Sequence, residues 1–230
     1  INLTYSESSK LNLIRENFPS DRVFNVGSPL FEVFQENKEK IKNSNILKKL
    51  KLKEKEYIVL SLHREENIEN KKNLDEIIDS LNYLAEKMKK KIIFSAHPRT
   101  KNKLKHYNLN KLIKVYPPFD FFSYNKLQIS SLIVISDSGS ISEESHILNI
   151  PAINLRETHE RHEAMENGVL IMSEFEKKKL YRNIIYTINN HYEFRSNSIK
   201  DYEQKHPSLK IVKIISSYIN YVNKKIYFKN

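Results

Sequence analysis

A short segment in the second half of the chain combines residue types that bind phosphate groups. Residues 132–135 (Leu-Ile-Val-Ile) are typical of a buried strand. A turn of small residues, Asp137 to Ser140, follows this strand, and residues 141–148 are predicted to form a helix. A strand, a tight turn and a helix in this order point free backbone N–H groups and a positive helix end towards an anion.

The side chains of this turn fit a nucleoside diphosphate. Gly139 lets the backbone approach a phosphate closely, and Ser138 and Ser140 add hydroxyl donors. Glu144 is well placed to accept hydrogen bonds from two hydroxyls, as from a ribose. An ordinary strand-to-helix turn with a serine N-cap has the same composition, so this segment alone leaves both interpretations open.

Alternating strands and helices must position this turn. The predicted strands cover residues 3–5, 23–26, 57–62, 92–96, 112–115, 132–135, 151–155 and 169–172. The predicted helices cover residues 6–17, 31–50, 74–88, 124–129, 141–148, 175–190 and 209–223. This alternation predicts an α/β fold with a Rossmann-like, doubly wound parallel sheet, in which ligands bind at the carboxyl ends of the strands.

Polar residues lie at the ends of four of these predicted strands: His63, His97, Asp137 and Arg156. Arg161 lies in the loop that follows the last of them. Arginine forks suit a diphosphate, and a histidine can protonate a leaving phosphate oxygen. Each residue also has a structural interpretation. His97 precedes a proline and could be a turn residue, His63 could begin a solvated loop, and Arg161 could belong to a surface charge run.

The composition excludes several classes of protein. The 230 residues contain no cysteine, which excludes disulfides and thiolate catalysis. No run of about 18 apolar residues and no signal-peptide pattern is present, so we expect a cytoplasmic protein without membrane contact. The net charge of +11 comes from dispersed lysines without a nucleic-acid motif, so no nucleic-acid partner is expected. The chain has neither the spacing of a metal site nor a G-x-S-x-G nucleophile elbow.

Three motifs stand out: residues 63–67 (His-Arg-Glu-Glu-Asn), residues 137–144 (Asp-Ser-Gly-Ser-Ile-Ser-Glu-Glu) and residues 156–164 (Arg-Glu-Thr-His-Glu-Arg-His-Glu-Ala). Together they resemble the non-hydrolysing UDP-N-acetylglucosamine 2-epimerases, whose patterns are His-Arg-x-Glu-Asn, Asp-Ser-Gly-Gly-x-x-Glu-Glu and Arg-x-x-x-Glu-Arg-Pro-Glu. One branch of this family is more similar than the others at two places. These are Ser140 with the Ile-Ser pair after it, and residues 97–100 (His-Pro-Arg-Thr). That branch makes UDP-N-acetyl-L-fucosamine from UDP-2-acetamido-2,6-dideoxy-L-talose.

The resemblance implies the C-terminal lobe of a GT-B fold, with the UDP-sugar bound in the cleft. It implies that His63 lies near the diphosphate and assists the departure of UDP. The implied UDP-binding residues are Ser138, Gly139 and Ser140 at the phosphate, Glu144 at the ribose, Tyr124 beside the uracil, Arg161 at the nucleotide, and His97.

The resemblance also implies a reaction. The family removes the C2 proton of a UDP-2-acetamido sugar and expels UDP, which leaves a glycal, and UDP then re-adds with a proton on the other face. The reaction implies no metal and no redox cofactor. We expect a role in making precursors of cell-surface polysaccharides, and a homodimer in the full-length family.

Two departures from the family pattern matter. His162 stands where the family has a proline, which would loosen the loop that aims Arg161. The family's catalytic carboxylates come from its N-terminal lobe, and this chain matches only the tail of that lobe, residues 1–34, before the C-terminal lobe at residues 35–230. We expect on the order of 150 residues of that lobe to be missing or to come from a separate chain. The chain alone is then expected to bind UDP weakly or not at all, without turnover.

Two other functions stay open on the sequence. A GT-B glycosyltransferase shares the nucleotide site, although the motifs at His63 and Arg161 argue against it. A non-catalytic remnant that binds a nucleotide sugar or a partner is the second. The predicted helix over residues 209–223 would expose an apolar stripe, so self-association is also expected.

Overall fold

The strands of the chain form two separate parallel sheets. The computed structural model describes residues 1–194 and 197–228. A two-stranded sheet pairs β1 (Asn2–Thr4) with β2 (Val23–Asn25), and it lies in a unit made of Ile1–Glu36 and Ser198–Asn230. A six-stranded sheet lies in a second unit, Asn37–Asn197.

The six-stranded sheet consists of β3 (Tyr57–Leu62), β4 (Lys91–Ala96), β5 (Ile113–Tyr116), β6 (Ile133–Ser136), β7 (Ala152–Leu155) and β8 (Ile171–Ser173). Their order across the sheet is β5-β4-β3-β6-β7-β8, and every neighbouring pair is parallel. The predicted bounds of β3 to β7 agree with the structure to within one residue, because each strand is rich in apolar, largely β-branched residues, as buried parallel strands are. The predicted doubly wound parallel sheet is confirmed.

The helices are α1 (Glu7–Arg15), α2 (Leu30–Lys42), α3 (Ile46–Leu50), α4 (Glu65–Ile68), α5 (Lys71–Met88), α6 (Pro98–Leu104), α7 (Phe121–Ser130), α8 (Ile141–Ile147), α9 (Glu163–Glu166), α10 (Lys177–Asn190) and α11 (Pro207–Lys225). The single helix predicted over residues 31–50 is wrong, since α2 and α3 are separated by an Asn-Ser-Asn segment. Asparagine and serine side chains compete for backbone hydrogen bonds and favour helix ends. Within residues 1–194 and 197–228, no helix is long and apolar enough to cross a membrane.

One face of the larger sheet forms the main core with α5 and α10. Leu60, Ile135 and Ile153 from the central strands pack there against Leu81 of α5 and Ile184 of α10. Because successive side chains of a strand point to opposite faces, the residues that follow these in β3, β6 and β7 face the other side. These are Ser61, Ser136 and Asn154, which lie in register across the three strands. The sheet therefore carries a polar row on its second face, close to the carboxyl ends of its strands.

The smaller unit joins the two ends of the chain. Ser6 caps α1 by accepting a hydrogen bond from the Ser9 amide at 3.2 Å, as its position before the helix predicts. Phe24 of β2 stacks edge-on against Tyr218 of α11, with 4.8 Å between the ring centroids. The opposite side of α11 leaves an exposed apolar stripe, which consists of Leu209, Val212, Ile215 and Ile219.

Candidate functional site

The carboxyl ends of three neighbouring strands bring the predicted chemistry together. Leu62 of β3 is in register with Ala96 of β4, and Ser61 is in register with Ser136 of β6. The next residues along the chain are His63, His97 and Asp137, so all three leave the sheet at the same edge. The strand order therefore produces the clustering that the sequence predicted.

Asp137 is the fixed centre of this edge. Its side chain is fully buried, and its carboxylate accepts hydrogen bonds from the backbone amides of His63 and Arg64 at 3.1 and 3.0 Å. The Asn67 amide donates a further hydrogen bond at 3.1 Å. In return, the Arg64 side chain donates from Nε to the Asp137 carbonyl at 2.9 Å. Asp137 thus ties the segment after β3 to the end of β6, a role that sequence reasoning missed.

The ring of His63 is bonded to the same carboxylate. His63 Nδ1 lies 3.1 Å from Asp137 Oδ1, while about half of the His63 side chain is exposed. The hydrogen bond to Asp137 raises the pKa of His63, and burial offsets only part of this rise. Burial alone would raise the pKa of Asp137, but the hydrogen bond and charge of His63 and the donors of Arg64 and Asn67 hold it below its usual value. The pair is a half-exposed histidine whose Nδ1 faces a buried carboxylate.

The predicted phosphate turn is held by hydrogen bonds among its own serines. Ser138 Oγ lies 2.8 Å from Ser140 Oγ, and the Ser138 amide donates to Ser136 Oγ at 3.1 Å. Ser140 precedes α8 without capping it through its side chain. Its hydroxyl donates instead to Glu144 Oε1 at 2.7 Å. The side chain of Ser140 therefore does not form the serine N-cap that was one of the two interpretations of the sequence.

Gly139 lies at the open side of the turn. A Cβ atom at this position would lie 3.7 Å from Nε of Arg161, an ordinary contact distance. The protein itself therefore does not require glycine here. Its absence of a side chain leaves space between the turn and Arg161.

Glu144 has hydrogen-bond donors on both carboxylate oxygens. Ser140 donates to Oε1, and Gln128 of α7 donates to Oε2 at 2.7 Å. Tyr124 lies one turn before Gln128 in α7. Burial, and after it the negative charge of Glu144, raise the pKa of Tyr124. The sequence pointed to Tyr124 and Glu144, but it gave no sign that Gln128 joins them.

Arg161 reaches the turn from the loop after β7. Its guanidinium forms an ion pair with Glu143 in the first turn of α8. Ser142 Oγ donates to the Arg161 carbonyl at 3.4 Å, which fixes the loop to the same helix. About a third of the Arg161 side chain remains exposed, and its guanidinium lies close to Gly139.

A second group of charges lies at the same edge, around Arg156, which the sequence placed there without indicating its ion pairs. Arg156 is buried, and its guanidinium lies 3.4 Å from Glu160 and 3.9 Å from Glu66. Glu66 also lies 3.3 Å from Arg64. The hydrogen bond from Arg156, against the smaller effect of burial, lowers the pKa of Glu160. These ion pairs link the segment after β3 to the loop after β7.

His97 occupies a more peripheral position. It caps α6 by accepting a hydrogen bond at Nδ1 from the Arg99 amide at 3.4 Å, and its side chain is exposed. Arg99 in turn lies 3.1 Å from Glu65, which follows Arg64. This geometry agrees with the turn interpretation of His97, and Arg99 connects α6 to the segment after β3.

The arrangement suits an anion next to a sugar with free hydroxyls. The turn offers serine hydroxyls, His63 and Arg161 offer positive charge, and Glu144 offers carboxylate oxygens. Within the described parts of the chain, no group of three or more His, Asp or Glu side chains is arranged to hold a metal ion.

A family model and curated relatives identify the family of the chain. The family model described as UDP-N-acetylglucosamine 2-epimerase matches residues 1–216. A UDP-N-acetylglucosamine 2-epimerase of Methanocaldococcus jannaschii is 34% identical over 193 residues, which are 80% of this chain and 53% of that protein. The chain therefore spans about half the length of the curated relatives that it matches.

Solved structures give the same result. The structure of a UDP-N-acetylglucosamine 2-epimerase from Rickettsia bellii matches with a TM-score of 0.91 and 37% identity, over 100% of this chain and 62% of that one. The Methanocaldococcus jannaschii enzyme in complex with UDP-GlcNAc and UDP matches with a TM-score of 0.82 and 31% identity, over 94% of this chain and 60% of that one. These are GT-B epimerases, so the predicted fold class is confirmed.

Proposed function

Because the chain belongs to the UDP-N-acetylglucosamine 2-epimerase family, we propose that it binds the UDP portion of a UDP-2-acetamido sugar for epimerisation at C2. One observation carries this proposal: the serine turn, the Glu144 carboxylate and the Arg161 guanidinium meet at the end of β6. The complex of the Methanocaldococcus jannaschii relative with UDP-GlcNAc and UDP supports it.

Each group has a defined task in this proposal. Ser138, Ser140 and the backbone at Gly139 bind the diphosphate, and Arg161 balances its charge. Glu144 accepts hydrogen bonds from the ribose hydroxyls, and Gln128 holds its carboxylate in place. The ring of Tyr124 lies beside the uracil.

The proposed reaction conserves atoms and electrons. The C2–H bond gives up its proton while the C1–O bond to UDP breaks, so a C1–C2 double bond forms. UDP then bonds again to C1 as a proton returns to C2 on the opposite face. Protonated His63 stabilises the negative charge of the departing diphosphate from its outer nitrogen, Nε2.

We assign the base that removes the C2 proton to none of the carboxylates at this site. Asp137, Glu143 and Glu144 each already bind a protein donor, and Glu66 and Glu160 at the same edge are paired with arginines. In deuterium oxide, the chain alone is therefore expected to leave C2 of UDP-N-acetylglucosamine unlabelled. Incorporation of deuterium would mean that the chain carries its own base.

A second candidate substrate is UDP-2-acetamido-2,6-dideoxy-L-talose. The observation that favours it is Ser140, whose hydroxyl binds both Ser138 and Glu144 where the usual family pattern has a glycine. Either product would serve as a precursor of cell-surface polysaccharide. Binding of the two UDP-sugars to the same sample, compared with binding of UDP, separates these candidates.

The proposed nucleotide site is tested by adding UDP while recording amide NMR spectra, which detect weak binding. We expect saturable shifts in residues 136–144, and about tenfold weaker binding in Arg161→Ala, as for the loss of one charge-assisted hydrogen bond. Arg15→Ala, an exposed arginine of α1, is the matched control and should bind UDP normally. A folded chain whose spectra do not respond to millimolar UDP would contradict the proposal.

A further inference from the structure

We propose that Asp137 is a positioning residue that fixes the ring orientation and the tautomer of His63, so that Nδ1 carries a proton and Nε2 is the atom presented to the ligand. The geometry stands by itself, and its consequence for UDP departure rests on the proposed function. Asp137 itself is not expected to contact the substrate.

Hydrogen bonds from groups other than the His63 ring hold the buried Asp137 carboxylate in place. Oδ2 accepts from the Arg64 amide at 3.0 Å and from Asn67 Nδ2 at 3.1 Å. Oδ1 accepts from the His63 amide at 3.1 Å and faces His63 Nδ1 at 3.1 Å. Rotation of the carboxylate would break backbone hydrogen bonds, so Asp137 presents one oxygen to the ring in a fixed direction.

Hydrogen-bond chemistry then decides the tautomer. An ionised carboxylate only accepts, so the nitrogen of His63 that faces it must donate. Neutral His63 therefore holds its proton on Nδ1, and Nε2 is the acceptor. When His63 becomes protonated, the new proton is added at Nε2, the ring nitrogen that does not face Asp137. Proton exchange with a ligand is thereby confined to one atom.

Three charged groups face the ring and set its protonation. Asp137 and Glu144 favour the protonated form, and Arg64 opposes it. The hydrogen bond from Asp137 has the largest effect of these. Loss of Asp137 should therefore change both the tautomer of His63 and the pH at which it titrates. Glu144 and Arg64 still face the ring after this loss.

A purely structural role for Asp137 predicts something different. Asp137 would then only connect residues 63–67 to β6. Substitution of Asp137 would in that case leave the tautomer of His63 unchanged. Asp137→Asn separates the two roles because it preserves shape while replacing one acceptor oxygen with an NH2 donor. With a donor facing the ring, neutral His63 is expected to move its proton to Nε2, as in catalytic triads whose aspartate is replaced by asparagine.

The test is long-range proton–nitrogen NMR of the histidine rings in the whole chain, recorded from acidic to alkaline pH without any ligand. His97 is an internal reference, because its Nδ1 accepts from the Arg99 amide and its neutral ring must carry the proton on Nε2. We expect His63 to show the Nδ1–H tautomer in the unmodified chain. An Nε2–H tautomer of His63 there would overturn the proposal, even if no variant folds.

The variants sharpen this result. In Asp137→Asn, we expect His63 to lose the Nδ1–H tautomer and to titrate at lower pH. Asn67→Ala removes another donor to the same carboxylate, so it should leave the tautomer unchanged, and a change in both variants equally would contradict the proposal. Failure of UDP to bind the unmodified chain would refute the proposed function and leave the tautomer result standing, so the two failures are distinguishable.

Discussion

Ser140 Oγ donates a hydrogen bond of 2.7 Å to Glu144, which joins the phosphate turn to the first turn of α8. Gln128 donates to the other oxygen of the same carboxylate at 2.7 Å. Each oxygen of a carboxylate can accept a second hydrogen bond, so Glu144 is oriented and still able to bind hydroxyl groups. The proposed sites for phosphate and for vicinal hydroxyls are thus joined by a hydrogen bond between residues four positions apart.

This link gives a prediction about the nucleotide's ribose. Glu144→Gln should weaken UDP binding by about tenfold, because the charge that strengthens the hydrogen bonds to the ribose is lost. The unmodified chain should prefer UDP over its 2′-deoxy analogue, and Glu144→Gln should lose most of that preference. NMR titrations with both nucleotides measure this.

Glu86→Gln on the exposed face of α5 is the matched control, and its preference should equal that of the unmodified chain. If Glu144→Gln discriminates between the two nucleotides as well as the unmodified chain does, the ribose lies elsewhere.

The pairing of His63 with Asp137 predicts a pH-dependent stability. The pKa of His63 is raised in the folded chain, chiefly by the hydrogen bond to Asp137, so the folded state binds this proton more tightly than the unfolded state does. Its contribution is full below the unfolded value of about 6.5 and is lost as the pH rises through the folded value. Asp137 stays ionised in this range because its own pKa is lowered.

His63→Gln should therefore destabilise the chain more at about pH 5.5 than at about pH 8.5, which urea unfolding at both pH values measures. His106→Gln, at an exposed position after α6, controls for the loss of an imidazole. An equal loss of free energy of unfolding at both pH values in His63→Gln would show that the ring does not gain from Asp137.

The sheet could be predicted from sequence because its signal is local. Strand β3 was predicted with its observed bounds, since six consecutive residues suit burial on both faces of a parallel sheet. The strand ends then predicted that His63 and Asp137 would share one edge. The helices over residues 31–50 were predicted less well, because runs of Lys, Glu and Asn have similar preferences at many positions and do not mark where α2 stops.

The connections inside the site could not be predicted in the same way. Asp137 binds the backbone of a residue 74 positions away, and Gln128 binds Glu144 on a different helix. Neither spacing corresponds to a turn of helix or a strand repeat, so no local sequence pattern predicts these two contacts. Such contacts depend on the order of the strands, which the sequence does not state.

The exposed stripe on α11 predicts self-association. Leu209, Val212, Ile215 and Ile219 recur at helical spacing and are each about half exposed, at 59%, 59%, 48% and 53%. A row of this kind loses water contact when it pairs with another apolar surface. The apparent mass in light scattering should rise with concentration, and Val212→Lys combined with Ile219→Lys should reduce the rise. A monodisperse monomer at high concentration would contradict this prediction.

Alanine substitutions at Gly168 and Gly139 are expected to have different effects. The first should lower the free energy of unfolding, and the second should weaken UDP binding. Gly168 has a φ angle of +72°, and a Cβ atom there would lie 2.5 Å from Cδ1 of Phe194. Gly168→Ala should lower the free energy of unfolding by about 1–3 kcal/mol, from the left-handed backbone and the clash together. Phe194→Ala in the same chain should recover only part of this loss, because it removes the clash and leaves the backbone strained.

Gly139→Ala should behave in the opposite way. The atoms nearest to the added Cβ belong to Arg161 and lie 3.7 Å or more away, so the free energy of unfolding should change by no more than about 0.5 kcal/mol. The same methyl group would stand in the space between the turn and Arg161, where the diphosphate is proposed to bind, so UDP affinity should fall. Urea unfolding and the UDP titration, applied to both alanine variants, measure the two effects separately. A Gly139→Ala chain that binds UDP normally would move the phosphate away from this turn, whatever its stability.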